Sequence, residues 1–99
     1  MALDYAHENA GDLRRETQEL RRAIASVIEE FEAATWYQER VDACSDPELK
    51  AILAHNRDEE KEHAAMLLEW IRRNDPVQAK ELKDYMFTEK PITSIEQDH

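Results

Sequence analysis

From Asp12 onward the apolar positions recur with the spacing of helices. Leu13, Leu20, Ile24, Val27, Phe31 and Ala34 follow one another at steps of three, four or seven, which places them on one face of an α-helix. Met1 to Gly11 carry no such periodicity and end in the only glycine of the chain, so they read as a flexible arm, with Asp12 as the N-cap of the first helix. That helix is expected to run to about Ala43. Ser45-Asp46-Pro47-Glu48 comes next. Ser45 with Glu48 three residues later forms a capping box, and Pro47 falls in a first turn, where its missing N–H costs nothing.

A second helix therefore starts near Pro47. Its inward face reads Leu49, Ile52, Leu53, Asn56, Glu60, His63, Leu67, Trp70 and Ile71, and the seam through it alternates steps of four and three, the mark of one helix lying along another. An acid and an imidazole stand in that seam where leucines belong. Asn74 and Asp75 interrupt the pattern, and Asp75 with Pro76 and Gln78 repeats the cap logic. A short helix follows, turning Ala79, Leu82 and Met86 inward, and the residues after Pro91 read as a loosely ordered tail. The expected division is an arm at 1–11, a helical domain at 12–90 and a tail at 91–99. Two helices of about 30 residues are each roughly 45 Å long. The fold class is all-α: an antiparallel two-helix hairpin plus a short C-terminal helix, its open apolar face dimerising into a four-helix bundle.

Composition agrees with this reading. The 99 residues include one Gly and three Pro, suiting an almost wholly helical domain, and no alternating β-branched run reads as a strand. A single domain of this size buries little of its apolar surface alone, which favours a partner chain. A formal net charge of −10 argues against nucleic acid and anionic membrane surfaces and suits cations. Cys44 is the only cysteine; it cannot form an intrachain disulfide and reads as a small residue at a helix end in a reducing, cytoplasmic setting. The first residues lack the basic start and apolar run of a signal peptide, and no apolar stretch reaches the roughly 20 residues of a membrane span.

The chemistry concentrates in Glu60-Lys61-Glu62-His63. A Glu and a His at i and i+3 project from one side of a helix and can grip one metal ion together; in four-helix di-iron proteins two such pairs combine with one Glu from each remaining helix. Here there is one pair. Glu30 lies on the run Val27, Glu30, Ala34, Tyr37, Val41 and is the candidate lone carboxylate, with Ala23 and Ala34 leaving room for helices to approach. Each chain thus carries half a site, and a two-fold dimer supplies two Glu30, two Glu60 and two His63. Oxygen-rich ligation with some imidazole suits iron and also manganese. Against this stands a plainer reading, since Glu-x-x-His arises by chance in many helices and Asp58, Glu59, Glu60 and Glu62 resemble a solvated acidic face. Register favours the site, because Glu60 and His63 share the seam with Leu53, Leu67 and Trp70. Glu29 and Glu32 read either as surface charge or as auxiliary iron-capturing groups, Trp36 and Tyr37 as packing residues beside the site, and His55 as a surface or interface residue.

These segments, Glu29-Glu30-Phe31-Glu32-Ala33-Ala34-Thr35-Trp36-Tyr37 and His55 through Met66, together with Leu68 to Asp75 and Phe87-Thr88-Glu89, resemble the encapsulated ferritins from about Arg14 to Ile95. The resemblance implies a two-helix protomer whose dimer rebuilds the ferritin site, and dimers that assemble into an annular homodecamer. It implies a ferroxidase that uses dioxygen, has no storage cavity, and works as cargo inside an encapsulin nanocompartment in the cytoplasm. By position Glu30, Glu60 and His63 match the family's ferroxidase ligands, Glu29 and Glu32 its auxiliary iron-entry residues, and Trp36 and Tyr37 the aromatics lining the site. Members of the family end in a shell-targeting peptide after a flexible linker, and none is read before His99. The competing expectations are a non-catalytic acidic helical interaction module, in which Glu60 and His63 are dispensable, and a structural manganese- or zinc-binding dimer using the same ligands.

Overall fold

The computed structural model describes residues 7–97. A 3-10 turn at Ala10–Asp12 precedes four helices: α1 (Arg15–Ala43), α2 (Pro47–Asn74), α3 (Pro76–Tyr85) and α4 (Ile92–Gln97). The first two form the long antiparallel hairpin, and the all-α class expected from the periodicity is the one observed. The helix ends fall at Ala43 and Asn74, where the pattern places them.

The caps differ in detail. Asp12 lies in the 3-10 turn, and extended backbone at Leu13 and Arg14 separates it from α1. Arg14 holds the N-cap position without a side-chain bond. Gln18 ties the turn down instead, its Nε2 donating to the carbonyls of Leu13 at 3.1 Å and Ala10 at 3.2 Å. At α2 the cap is Asp46, whose carboxylate accepts from the Leu49 N–H at 2.8 Å, so Ser45 stands one residue outside the helix. Asp75 caps α3 as expected, accepting from the Gln78 N–H at 3.1 Å.

Small residues bring α1 and α2 together. The buried apolar set is Ala23, Ala34 and Val41 on α1, Ala64 and Ile71 on α2, and Ile95 on α4; half of it is alanine, so the hairpin encloses little apolar volume. The accessible surface is 7943 Å², against about 5,800 Å² for a compact monomer of this size. The radius of gyration is 17.4 Å, against about 13 Å for a compact chain of this length. Ile24, Phe31, Leu49 and Ile52, expected on the inward stripes, are over a third exposed. One partner helix covers only part of a stripe at least about 100° wide, and the rest is left open.

Met86, expected inward, lies just past the end of α3 and is half exposed, and the adjacent Phe87 is fully exposed at a φ of 60°. The tail expected to be loose carries α4, with Ile95 only 3% exposed. Of the expected arm, residues 1–6 lie outside the described residues, as do residues 98–99 of the tail. No described helix is long and apolar enough to cross a membrane.

Candidate metal centre

Near the middle of the hairpin α1 offers Glu30, and α2 offers Glu60 and His63 from adjacent turns. Ala34, one turn beyond Glu30, and Ala64, next to His63, are 6% and 1% exposed; with no bulk between the helices at these levels, the longer side chains meet across the gap. His63 Nδ1 lies 3.5 Å from Glu30 Oε2 and 3.6 Å from Glu60 Oε2. One donor atom from each of the three falls within 4.8 Å of the others, and among the described residues this is the group so arranged.

The electrostatics call for a cation. Glu30 Oε2 is buried and has no hydrogen-bond partner, and its nearest neighbours are a second carboxylate and an imidazole. Two ionised carboxylates cannot donate to each other, so that oxygen is left to a proton shared with Glu60, the ring N–H of His63, 3.5 Å away, or a bound cation. Accordingly the Glu30 carboxyl is held above its ordinary pKa, first by hydrogen bonding to Glu60, then by burial and the Glu60 charge, while His63 acts in the opposite sense. Two carboxylates and one imidazole form a donor set that fits a first-row divalent ion such as iron or manganese. The residues stay partly open, Glu60 at 23% and His63 at 42% side-chain exposure. Three ligands from one chain leave room for more from another.

The remaining expected residues are less close. Glu29 is exposed and Glu32 half-buried, and neither belongs to the converging group. Trp36 is half exposed. Tyr37 is partly buried and carries the Arg40 guanidinium over its ring, 5.2 Å from the centroid.

Two features were not anticipated from the sequence. Arg57, one turn before Glu60, donates across the hairpin to Gln38 at 2.8 Å, while its Nε holds Asp58 at 3.0 Å; this contact helps set the register of α1 against α2 beside the site. Glu59, set aside as surface charge, places Oε2 3.9 Å from His63 Nε2 and Oε1 3.4 Å from His55 Nε2. The signal was there in the even spacing of His55, Glu59 and His63, which puts all three on one helical face.

Known proteins resemble this chain in sequence and fold. Residues 5–89 match the EncFtn-like family. An encapsulated ferritin-like protein from Rhodospirillum rubrum is 64% identical over 90 residues, covering 91% of this chain and 64% of that protein. A ferritin-like protein from Thermotoga maritima is 50% identical over 95 residues, covering 96% of this chain and 83% of that one. An encapsulin nanocompartment cargo protein from Myxococcus xanthus is 44% identical over 77 residues, covering 77% of this chain and 59% of its own length. The chain therefore spans less than two thirds of the first and third of these relatives. In three dimensions it superposes on a crystal structure of a protein from Nitrosomonas europaea with a TM-score of 0.84, at 65% identity, covering 90% of this chain and 98% of the other. The match of residues 5–89 to that family, with relatives of this identity along most of the chain, places this chain in the EncFtn-like family.

Proposed function

We propose that two copies of this chain pair through the open face of the hairpin and form a ferroxidase centre from two Glu30, two Glu60 and two His63. The observation that carries this reading is the buried, unpartnered Oε2 of Glu30 set against Glu60 and His63. One chain gathers two carboxylates and an imidazole around the unpartnered Glu30 Oε2, and a second copy doubles that set around space for two cations. Ferrous iron is the substrate and dioxygen the oxidant. The iron supplies the electrons; the protein's residues bind, orient and stabilise charge. Carboxylates fixed in a partly desolvated pocket favour the ferric over the ferrous charge, which lowers the barrier to electron loss. Glu29 and Glu32 attract ferrous ions toward the centre, and Trp36 and Tyr37 line its approach.

A hairpin dimer, or the annular homodecamer built from such dimers, encloses little space for a mineral. The names of the Rhodospirillum and Myxococcus relatives support placing the chain with an encapsulin shell, as cargo in a cytoplasmic nanocompartment where ferric product is stored. The test is anaerobic titration with ferrous iron, followed by air, with ferric absorbance recorded. The expected result is a rise that saturates near one iron per chain before slower turnover. Absence of any oxidation above the rate in buffer would refute the reading, and binding without oxidation would favour a structural manganese or zinc site.

A further inference from the structure

His63 presents its two ring nitrogens to different carboxylates. Nδ1 faces Glu30 and Glu60, at 3.5 Å and 3.6 Å. Nε2 lies 3.9 Å from Glu59 Oε2, one turn back along α2. The other oxygen of Glu59 lies 3.4 Å from His55 Nε2, one turn further back. The neighbouring Asp58 is engaged elsewhere, 3.0 Å from Arg57 Nε.

We propose that Glu59 is a positioning residue for His63, accepting the Nε2–H so that Nδ1 turns a lone pair toward Glu30 and Glu60. The inference rests on the reading of those three residues as a metal centre. A neutral imidazole has one N–H and one acceptor nitrogen, and the partner of one fixes the role of the other. The ligating nitrogen must carry no proton. In the free protein Glu30 and Glu60 are themselves acceptors, and acting alone they draw the proton to Nδ1, the tautomer that cannot bind a cation. An acceptor on the far side opposes that bias. The 3.9 Å separation is longer than a hydrogen bond, and a side-chain movement of about 1 Å closes it. His55 keeps the Glu59 carboxylate on this face of the helix. Outer partners of metal-binding histidines are worth about 10–100-fold in metal affinity. Glu59 is 44% exposed, so water partly replaces it and the low end of that range applies.

The experiment uses the full chain with ¹⁵N-labelled histidine, metal-free at pH 9, and reads the His63 tautomer from its ring nitrogen shifts. The same samples are then titrated with Co²⁺, followed by visible absorption. The expected results are a dominant Nε2–H form in the parent, a shift toward Nδ1–H with about tenfold weaker Co²⁺ binding in Glu59→Ala, and retention of both parental properties in Glu59→Gln, whose amide oxygen still accepts. An unchanged tautomer in Glu59→Ala, a tautomer shift with undiminished Co²⁺ affinity, or a Glu59→Gln variant that behaves like Glu59→Ala would each overturn the proposal. If no variant, the parent included, bound Co²⁺ while the tautomer still followed Glu59, the positioning role would stand and the metal-centre reading would fail.

Discussion

Glu30 on α1 and His63 on α2 meet across the hairpin with Oε2 3.5 Å from Nδ1, although 33 positions separate them in the sequence. The meeting depends on the register of two long helices, which the turn at 44–46 and the Arg57–Gln38 bond constrain from one side. It joins a buried acceptor without a donor to a ring that can either donate a proton or share a cation. That choice makes the site responsive to pH and metal.

The first prediction follows from the raised pKa of Glu30. Above the ordinary value of 4.5 the native state keeps a proton that the unfolded chain has released. More protons bound in the native state means that stability falls as pH rises through this window. The metal-free protein should therefore show a thermal midpoint that declines from pH 4.5 upward until Glu30 has ionised. Glu69, drawn down to about 2 by Arg72 and Arg73, contributes stability that is already complete above 4.5, so the two effects do not overlap. Glu30→Gln should flatten the decline relative to the parent. Parallel curves for the two proteins, measured in the presence of a chelator, would show that Glu30 is not its source.

The second prediction concerns ligand removal. Glu30→Ala, Glu60→Ala and His63→Ala each delete two groups from a paired centre, because the second copy carries the same change. Initial rates of ferrous oxidation should fall by more than the roughly 10–100-fold associated with outer partners. Exposed Glu62 lies in the same acidic run, and Glu62→Ala should retain most of the rate. A parental rate in Glu60→Ala would remove that residue from the centre.

Much of this was legible because helices write their contacts into the sequence at a fixed period. The ends of α1 and α2, the Asp75 cap and the seam that brings Glu60 and His63 onto one face all come from spacing within single helices. The misplacements share a different cause. Ser45 and Asp46 are both good caps, and which one is used depends on where the chain leaves its extended stretch, a matter of geometry between helices. Ile24, Phe31, Leu49 and Ile52 are apolar and periodic, yet their exposure is set by how many helices surround them, which no single chain encodes. Glu59 was discounted because its role depends on which way a ring one turn away is facing.

The cap assignment is itself open to test. Asp46→Ala removes the acceptor of the Leu49 N–H and should destabilise the fold by about 1 kcal/mol. Ser45→Ala, outside the helix, should stay within about 0.5 kcal/mol of the parent. Chemical denaturation of both variants decides the matter, and a larger loss from Ser45→Ala would restore the capping box.

Close approach at Ala64 should matter to the centre without any ligand being touched. At 1% exposure there is no room for a larger side chain, and Ala64→Leu must push α1 and α2 apart, at a cost of about 1–3 kcal/mol. Glu30 would then move away from Glu60 and His63. Cation affinity should drop together with stability, whereas Ala65→Leu, at the exposed neighbouring position, should leave both nearly unchanged. Equal cation affinity in Ala64→Leu and the parent would show that the helix spacing does not set the site.

Assembly should be linked to metal. Bringing two open faces together covers apolar groups such as Ile24 and Phe31, but it also brings Glu30 and Glu60 of one copy near their counterparts, in a chain of net charge −10. The apolar term favours pairing and the carboxylates oppose it. A cation bound between copies reverses the second term, and by mass action a ligand at 100 times its dissociation constant adds about 2.7 kcal/mol to the state that binds it. Sedimentation velocity at pH 7.5 should show a smaller mean species in chelator and a shift to larger ones on adding Mn²⁺, or ferrous iron without air. His63→Ala, which keeps every apolar contact and every carboxylate, should lose most of the shift. High salt should raise association in chelator by screening the repulsion, and should do so equally in the parent and His63→Ala, because that effect does not pass through the ligands. A chain that remained monomeric from pH 6 to 8 with and without the cation would show that the half-site does not draw two copies together.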